Sequence, residues 1–231
     1  MTKVVISQPV FFGWPGFYQL IAHADKLVWL DDAQFPKGWY THRARVSTSS
    51  GSHWLTIPLA KAPLDTSIMN MQVLLPFQEI LSRKLFSYLG HLPFHHEANE
   101  IFSLACSRSR LVDISIASSE LVLSKALSLN PETYTSSRLK VEGSSWKRVL
   151  KICKSLRATE YITGHGAKNY LLHEEFESNG ISVRYIDYNV VPWREVSSRS
   201  SILDLIATVG LSGVSSYISS GLINWQDFLA S

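Results

Sequence analysis

Hydrophobic positions in this chain change their period several times, and each change marks an element. Val4, Val5 and Ile6 form a continuous apolar run, as a strand covered on both faces of a parallel sheet requires. Pro9 and the Gly13-Trp14-Pro15-Gly16 run then break the pattern. Pro15 suits the first turn of a helix, and Phe17, Leu20, Ile21 and Ala24 recur at helical spacing. Residues 27–30 are a second buried run, so residues 4–30 predict a strand, a helix and a strand joined by a right-handed crossover. From residue 43 the pattern alternates. Arg43, Arg45 and Ser47 oppose Ala44 and Val46; Trp54, Thr56 and Pro58 oppose Leu55 and Ile57. With Ser49-Ser50-Gly51-Ser52 as the turn, an antiparallel hairpin is expected.

From residue 76 to about residue 129 the period becomes helical, and three amphipathic helices are expected, around Leu81, Ile101 and Leu121. Residues 136–140 read as a strand end or loop. A helix then carries Trp146, Val149, Leu150, Cys153 and Leu156 behind a Ser144 or Ser145 cap. Residues 160–163 predict a strand that stops at Gly164-His165-Gly166, followed by a short helix, another helix ending at Gly180, and a strand over 181–188. Ser201 is expected to cap the last helix, with Asp204 reaching back to it. The fold class is therefore α/β: a mainly parallel sheet with an antiparallel hairpin and an inserted helical subdomain. The expected division is 1–75, 76–130 and 131–231, the last portion completing one domain with the first.

Composition adds bounds. The 231 residues, 45% apolar and 18% charged, suffice for a substantial core. A net charge of +3 does not by itself indicate nucleic acid. No apolar run approaches the roughly 18 residues of a membrane span, and the opening residues lack a signal-peptide pattern. Cys106 and Cys153 sit far apart in helical patterns, as two reduced, buried thiols of a cytoplasmic protein would. Seven Trp supply stacking surfaces suited to sugars or bases. His91, His95 and His96 fall near one loop without a carboxylate at ligand spacing, so no metal site is expected.

Chemically able groups concentrate at two predicted strand ends, where open α/β sheets bind ligands. The first carries Asp31 and Asp32, then Gln34, Lys37, Trp39, His42, Arg43 and Arg45. Either aspartate suits a general base or a carboxylate partner. Adjacent strand residues point to opposite faces, so one should enter a site while the other binds a loop or an arginine. Arg43 and Arg45 suit a phosphate or carboxylate, or simply a solvated strand face. His42 is a base by its ordinary pKa. The second strand end is Gly164-His165-Gly166, whose glycines let backbone approach a ligand and expose amides that favour anions. A tight turn with a surface histidine is the plain alternative. No nucleophile elbow, P-loop or dinucleotide fingerprint is present.

Together these residues resemble the WbqC-like protein family. The resemblance rests on Gln8-Pro9 with Trp14 and Gly16-Phe17, on Asp31-Asp32 with Gln34-Phe35, on Lys37, Trp39, Arg43 and Arg45, and on Trp54-Leu55-Thr56-Ile57-Pro58. It continues through Ser136-Ser137, Tyr161 with Gly164, Tyr170-Leu171, Phe176, Gly180-Ile181, Tyr188 and residues 201–205. The chain departs from the family pattern at His42, where an Asn is expected, and after Tyr188. The resemblance implies association with bacterial O-antigen, other surface-glycan or secondary-metabolite gene sets. The layout of the first half is similar to nucleotide-binding folds of the nucleotidyltransferase kind, without their His-containing motif.

The function expected is transfer of an acyl or aminoacyl group to an amino sugar carried on a nucleotide, with a carrier protein as a possible acyl donor and neither nucleic acid nor a membrane span involved. Asp32, His165 or His42 would move the proton. Gln8, Trp14, Asp31, Gln34, Lys37, Trp39, Arg43, Arg45, Trp54, Thr56, Ser137, Gly164, Gly166, Tyr170 and Tyr188 would bind substrate. No cofactor is identified. A non-catalytic glycan or carrier-protein binding module and a metal-assisted hydrolase are the alternatives.

Overall fold

A computed structural model describes residues 1–48, 50–194 and 199–231. Its central sheet contains β1 (Lys3–Ser7), β2 (Lys26–Trp29), β5 (Glu132–Thr135), β6 (Glu160–Thr163), β7 (Ser182–Asp187) and β8 (Gly221–Asn224), in the order β5-β2-β1-β6-β7-β8. All neighbours are parallel except β7 and β8. Strands β3 (Arg43–Thr48) and β4 (Gly51–Thr56) form a separate two-stranded antiparallel sheet. The expected antiparallel hairpin is thus a sheet of its own, and the antiparallel edge strand of the central sheet is β8. The helices are α1 (Pro15–Ile21), α2 (Gln78–Leu89), α3 (His95–Cys106), α4 (Leu111–Leu127), α5 (Ser136–Leu139), α6 (Ser145–Ser155), α7 (His173–Ser178), α8 (Ile202–Val209) and α9 (Trp225–Ala230).

Alternation along each strand divides the core in two. Val5, Leu27, Trp29 and Ile162 pack with α1, α8, the hairpin and α2–α4. Val4, Ile6, Val28 and Tyr161 pack with α6 and α7. The sheet is therefore covered on both faces, which explains the continuous apolar runs in its strands. From β1 the chain moves outward to β2 and β5, then returns to β6 on the other flank of β1. The strand order reverses between β1 and β6, and ligand crevices of open α/β sheets form outside the carboxyl ends at such a point.

Two buried devices hold the loops at that edge. Helix α4 carries Ser115, Ser118 and Ser119 on one buried face. Ser118 Oγ accepts the Phe12 amide at 3.0 Å, Ser119 Oγ donates to the Val10 carbonyl at 3.2 Å, and Ser115 Oγ donates to the Thr41 carbonyl at 2.7 Å. The loop leaving β1 and the loop entering β3 are thus fixed by one helix, and the Phe11 amide joins them through the Tyr40 carbonyl at 2.9 Å. Phe12 is held at φ 44°, a left-handed conformation that a bulky residue keeps only when its surroundings enforce it.

The second device corrects an expectation. Ser201 precedes α8, but its hydroxyl makes no cap bond, and Asp204 does not reach back to it. The fully buried Asp204 carboxylate accepts the Ser47 amide at 3.0 Å, Trp193 Nε1 at 2.9 Å and Arg194 Nε at 2.8 Å. A buried charge needs a charge partner and several donors, and this one ties β3 to α8. Other differences are smaller. Residues 165–169 form a 3-10 turn, too short to align many peptide dipoles. Strand β8 and helix α9 lie in a stretch for which no element was expected. His95 and His96 open α3 instead of lying in a loop. Both cysteines are free and buried, and burial pushes the Cys106 thiol up to about 12.

Candidate functional site

The acidic pair lies just past β2, which ends at Trp29. The chain turns there, with the Asp31 amide bonded to the Trp29 carbonyl at 2.9 Å. Strand alternation therefore no longer applies, and the two carboxylates converge on one partner. Ser136 Oγ lies 3.1 Å from Asp31 Oδ1 and 2.6 Å from Asp32 Oδ1. Asp31 also accepts the Ser137 amide at 2.9 Å and the Ser137 hydroxyl at 2.5 Å. Asp32 Oδ2 accepts Arg148 Nη2 at 2.6 Å, and Arg148 Nε is occupied by the Val141 carbonyl at 3.0 Å. Burial alone would raise the Asp32 pKa, but the bonds from Arg148 and Ser136 hold it below the usual carboxylate range. This cluster joins the ends of β2 and β5 to the start of α6. It is a satisfied network with a poor proton acceptor.

At the β1–β6 crevice the groups are less committed. Trp14 covers the first turn of α1: a Cβ on Gly16 would lie 2.1 Å from its ring. Tyr188 packs between Trp14, at 5.2 Å, and His165, at 4.8 Å. The Tyr188 hydroxyl lies against Gly164, where a Cβ would come within 3.1 Å of it. At Gly166 a Cβ would meet nothing within 4 Å, so only the first glycine of the pair is required by packing. His165 Nε2 lies 2.8 Å from the Ile186 carbonyl, and the ring packs on Phe228 at 4.7 Å. A carbonyl only accepts, so Nε2 carries the proton and Nδ1 of the neutral ring keeps its lone pair. His165 is exposed. Gln8 follows β1 at the same edge, half-buried, and Tyr170 lies exposed after the 3-10 turn.

The hairpin contributes a third surface. Its register pairs Arg43 with Thr56 and Arg45 with Trp54, so these four side chains share its outer face. The Arg43 guanidinium lies 4.2 Å from the Trp54 ring centroid and donates to the Gly38 carbonyl. Arg45 donates to Ser52 Oγ at 2.9 Å. Trp39 and Trp54 are 58% and 38% exposed, with Tyr40 packed between them. Gln34 instead serves the framework, donating to the Leu64 carbonyl at 2.6 Å. Lys37, His42 and Thr56 line a cavity of about 540 Å³ beside this face.

Asp32 and His165 follow β2 and β6, strands that lie two strand spacings, or about 10 Å, apart in one sheet. They turn away from each other, Asp32 toward β5 and α6, His165 toward β7 and α9. The structure brings Trp14, Gly164, His165 and Tyr188 together, and separately Arg43, Arg45, Trp54 and Thr56. It does not bring Asp31, Asp32 or Ser137 into either group. Arg148 was missed. A cation in the first turn of a helix opposes the macrodipole, and that mismatch was the available sign that it serves a carboxylate. Ser118, Ser119 and Phe228 carried no such sign. Among the described residues, no three or more His, Cys, Asp or Glu converge as a metal site, and no helix is long and apolar enough to cross a membrane.

The model of the WbqC-like protein family matches residues 8–216. The chain is also similar to "Uncharacterized protein Rv1507c" of Mycobacterium tuberculosis (strain ATCC 25618 / H37Rv), at 26% identity over 91% of this chain and 95% of that protein. No solved structure matches it. The family match spans both the β1–β6 crevice and the hairpin face, and on that extent the chain belongs to the WbqC-like protein family.

Proposed function

We propose that this protein is a transferase that places an acyl or aminoacyl group on the amino group of a nucleotide-linked sugar, in bacterial surface-glycan or secondary-metabolite assembly. The observation that carries the reading is the outer face of the hairpin, where two arginines and exposed tryptophans share one surface tied to the loop that leaves β1. Guanidinium groups hold a diphosphate through directed, permanently charged hydrogen bonds. Trp39 or Trp54 stacks on the base or sugar. Gln8, Trp14 and Tyr188 wall the crevice in which the amino group meets the acyl carbonyl.

In this reaction the amine nitrogen forms a bond to the carbonyl carbon, the donor's leaving group departs with its electron pair, and the amine proton passes to His165 Nδ1. The bond from Nε2 to the Ile186 carbonyl supports that assignment by orienting the ring. Asp32, committed to Arg148, has an anchoring role instead of the proton-transfer role. The test is incubation of purified protein with nucleotide-linked amino sugars and acyl thioesters, followed by mass analysis for the amide. Product formation together with at least about tenfold weaker nucleotide-sugar binding by Arg43→Ala is the expected result. No amide with any donor, and unchanged binding by that variant, would remove the proposal. Glycan binding that survives His165→Ala and is lost on Trp39→Ala and Trp54→Ala would instead identify a non-catalytic module.

A further inference from the structure

Between the loop that leaves β2 and the segment that follows β4 lies the cavity of about 540 Å³, a volume typical of small-molecule sites. Its body is apolar, with Phe35, Leu59 and Met71 among the walls. Among the described residues its charges have one sign only: Lys37 and Lys61 line it, and no Asp or Glu does. Both lysines are exposed, so the ammonium groups belong to the open side of the cavity. Its wall also includes the half-buried His42, packed on the Phe35 ring at 5.2 Å. The His42 Nδ1 is buried and has no hydrogen-bond partner among the described residues. Such an atom is costly in a folded protein and is accounted for when a ligand or water supplies the partner.

The cavity is also held open before any ligand arrives. Gln34 bonds to the Leu64 carbonyl at 2.6 Å, and isolated bridges pair Gln34 with Ser67 and Leu59 with Val73. The segment over the cavity is therefore fixed at both ends, which lowers the ordering cost of binding. We propose that this cavity binds a small carboxylic acid with an apolar body, its carboxylate between Lys37 and Lys61 and a polar atom of the ligand hydrogen-bonded to His42 Nδ1. The apolar walls exclude a ligand that is mainly phosphate. The pair of ammonium groups, with no carboxylate among the described lining residues, selects an anion over a neutral molecule of the same shape. Nothing in this assignment depends on the transferase reading, since it concerns binding alone.

The test is calorimetric titration of the full chain with a series from acetate to octanoate and benzoate, with hexanamide and inorganic phosphate as probes of the two contributions. Saturable binding that tightens with chain length is expected, with hexanamide at least about tenfold weaker than hexanoate and phosphate alone showing no binding. The Lys37→Met/Lys61→Met double variant should lose at least about tenfold in hexanoate affinity with an unchanged melting temperature. Ala62→Phe, at an exposed position lining the cavity, should block binding, and 6-hydroxyhexanoate, whose hydroxyl supplies the second polar atom, should shift the ¹⁵N resonance of His42 Nδ1. Absence of saturable binding across the series would overturn the proposal. Equal affinity for the amide, phosphate binding as tight as hexanoate, or undiminished binding by Ala62→Phe would overturn it as well.

Discussion

The acidic cluster beyond β2 and the crevice beyond β6 occupy the same edge of one sheet, yet they differ in what remains unspent. Asp31 and Asp32 are engaged by two hydroxyls, a backbone amide and a guanidinium. His165 is fixed by one nitrogen, and among the described residues the other has no hydrogen-bond partner. The first arrangement builds structure; the second leaves a group able to accept a proton. Chemical reactivity of residue types does not distinguish them, whereas hydrogen-bond accounting does.

The largest effect that would sharpen the contrast is on rate. His165→Ala should lower turnover about 10²–10⁴-fold in the proposed transfer, with little change in urea midpoint. A loss of stability with unaltered turnover would break the contrast. Asp32→Asn should do the reverse. It removes one side of a partly buried ion pair and costs about 1–3 kcal/mol by urea denaturation, with turnover within a few fold. Because folding lowers the Asp32 pKa, its stabilisation is full above the unfolded value of about 3.9. That stabilisation is lost as the pH falls through the folded value, and the variant should lack this acid-side slope.

A smaller effect separates the two glycines. Gly164→Ala must displace the Tyr188 hydroxyl and should reduce turnover several-fold, while Gly166→Ala, with open space around it, should be neutral. Steady-state kinetics of the pair decides this. The smallest effect is a pH dependence near neutrality. Burial lowers the pKa of His23, His42 and His173; Arg43 adds to the effect at His42 and Lys3 at His23, whereas Glu160 opposes it at His23 and Glu174 and Glu177 at His173. The unfolded chain then binds more protons below about pH 6.5, so the urea midpoint should fall modestly between pH 7 and pH 5. The His42→Gln/His173→Phe variant should flatten that fall.

The α/β class, the parallel strands and the hairpin face were legible because they rest on local periodicity. Arg43, Arg45, Trp54 and Thr56 share a face by alternation alone, and the register keeps them there. The same rule failed at Asp31 and Asp32 because the strand ends two residues earlier and a turn redirects both side chains. It also could not show that Asp204 binds β3, since its partners Ser47 and Arg194 are distant in sequence or on another element. Strand β8 was missed for a related reason. Its four residues, Gly221-Leu222-Ile223-Asn224, are too few to show a period, and they become a strand only by pairing with β7.

That late strand has a consequence for the edge of the sheet. Without the stretch from Gly221 onward, β7 would become a bare margin of the sheet, offering its amides and carbonyls to another copy. The same deletion would withdraw Phe228 from the His165 ring. One short segment therefore moves the margin of the sheet outward from six-residue β7 to four-residue β8 while also bracing the imidazole proposed for proton transfer.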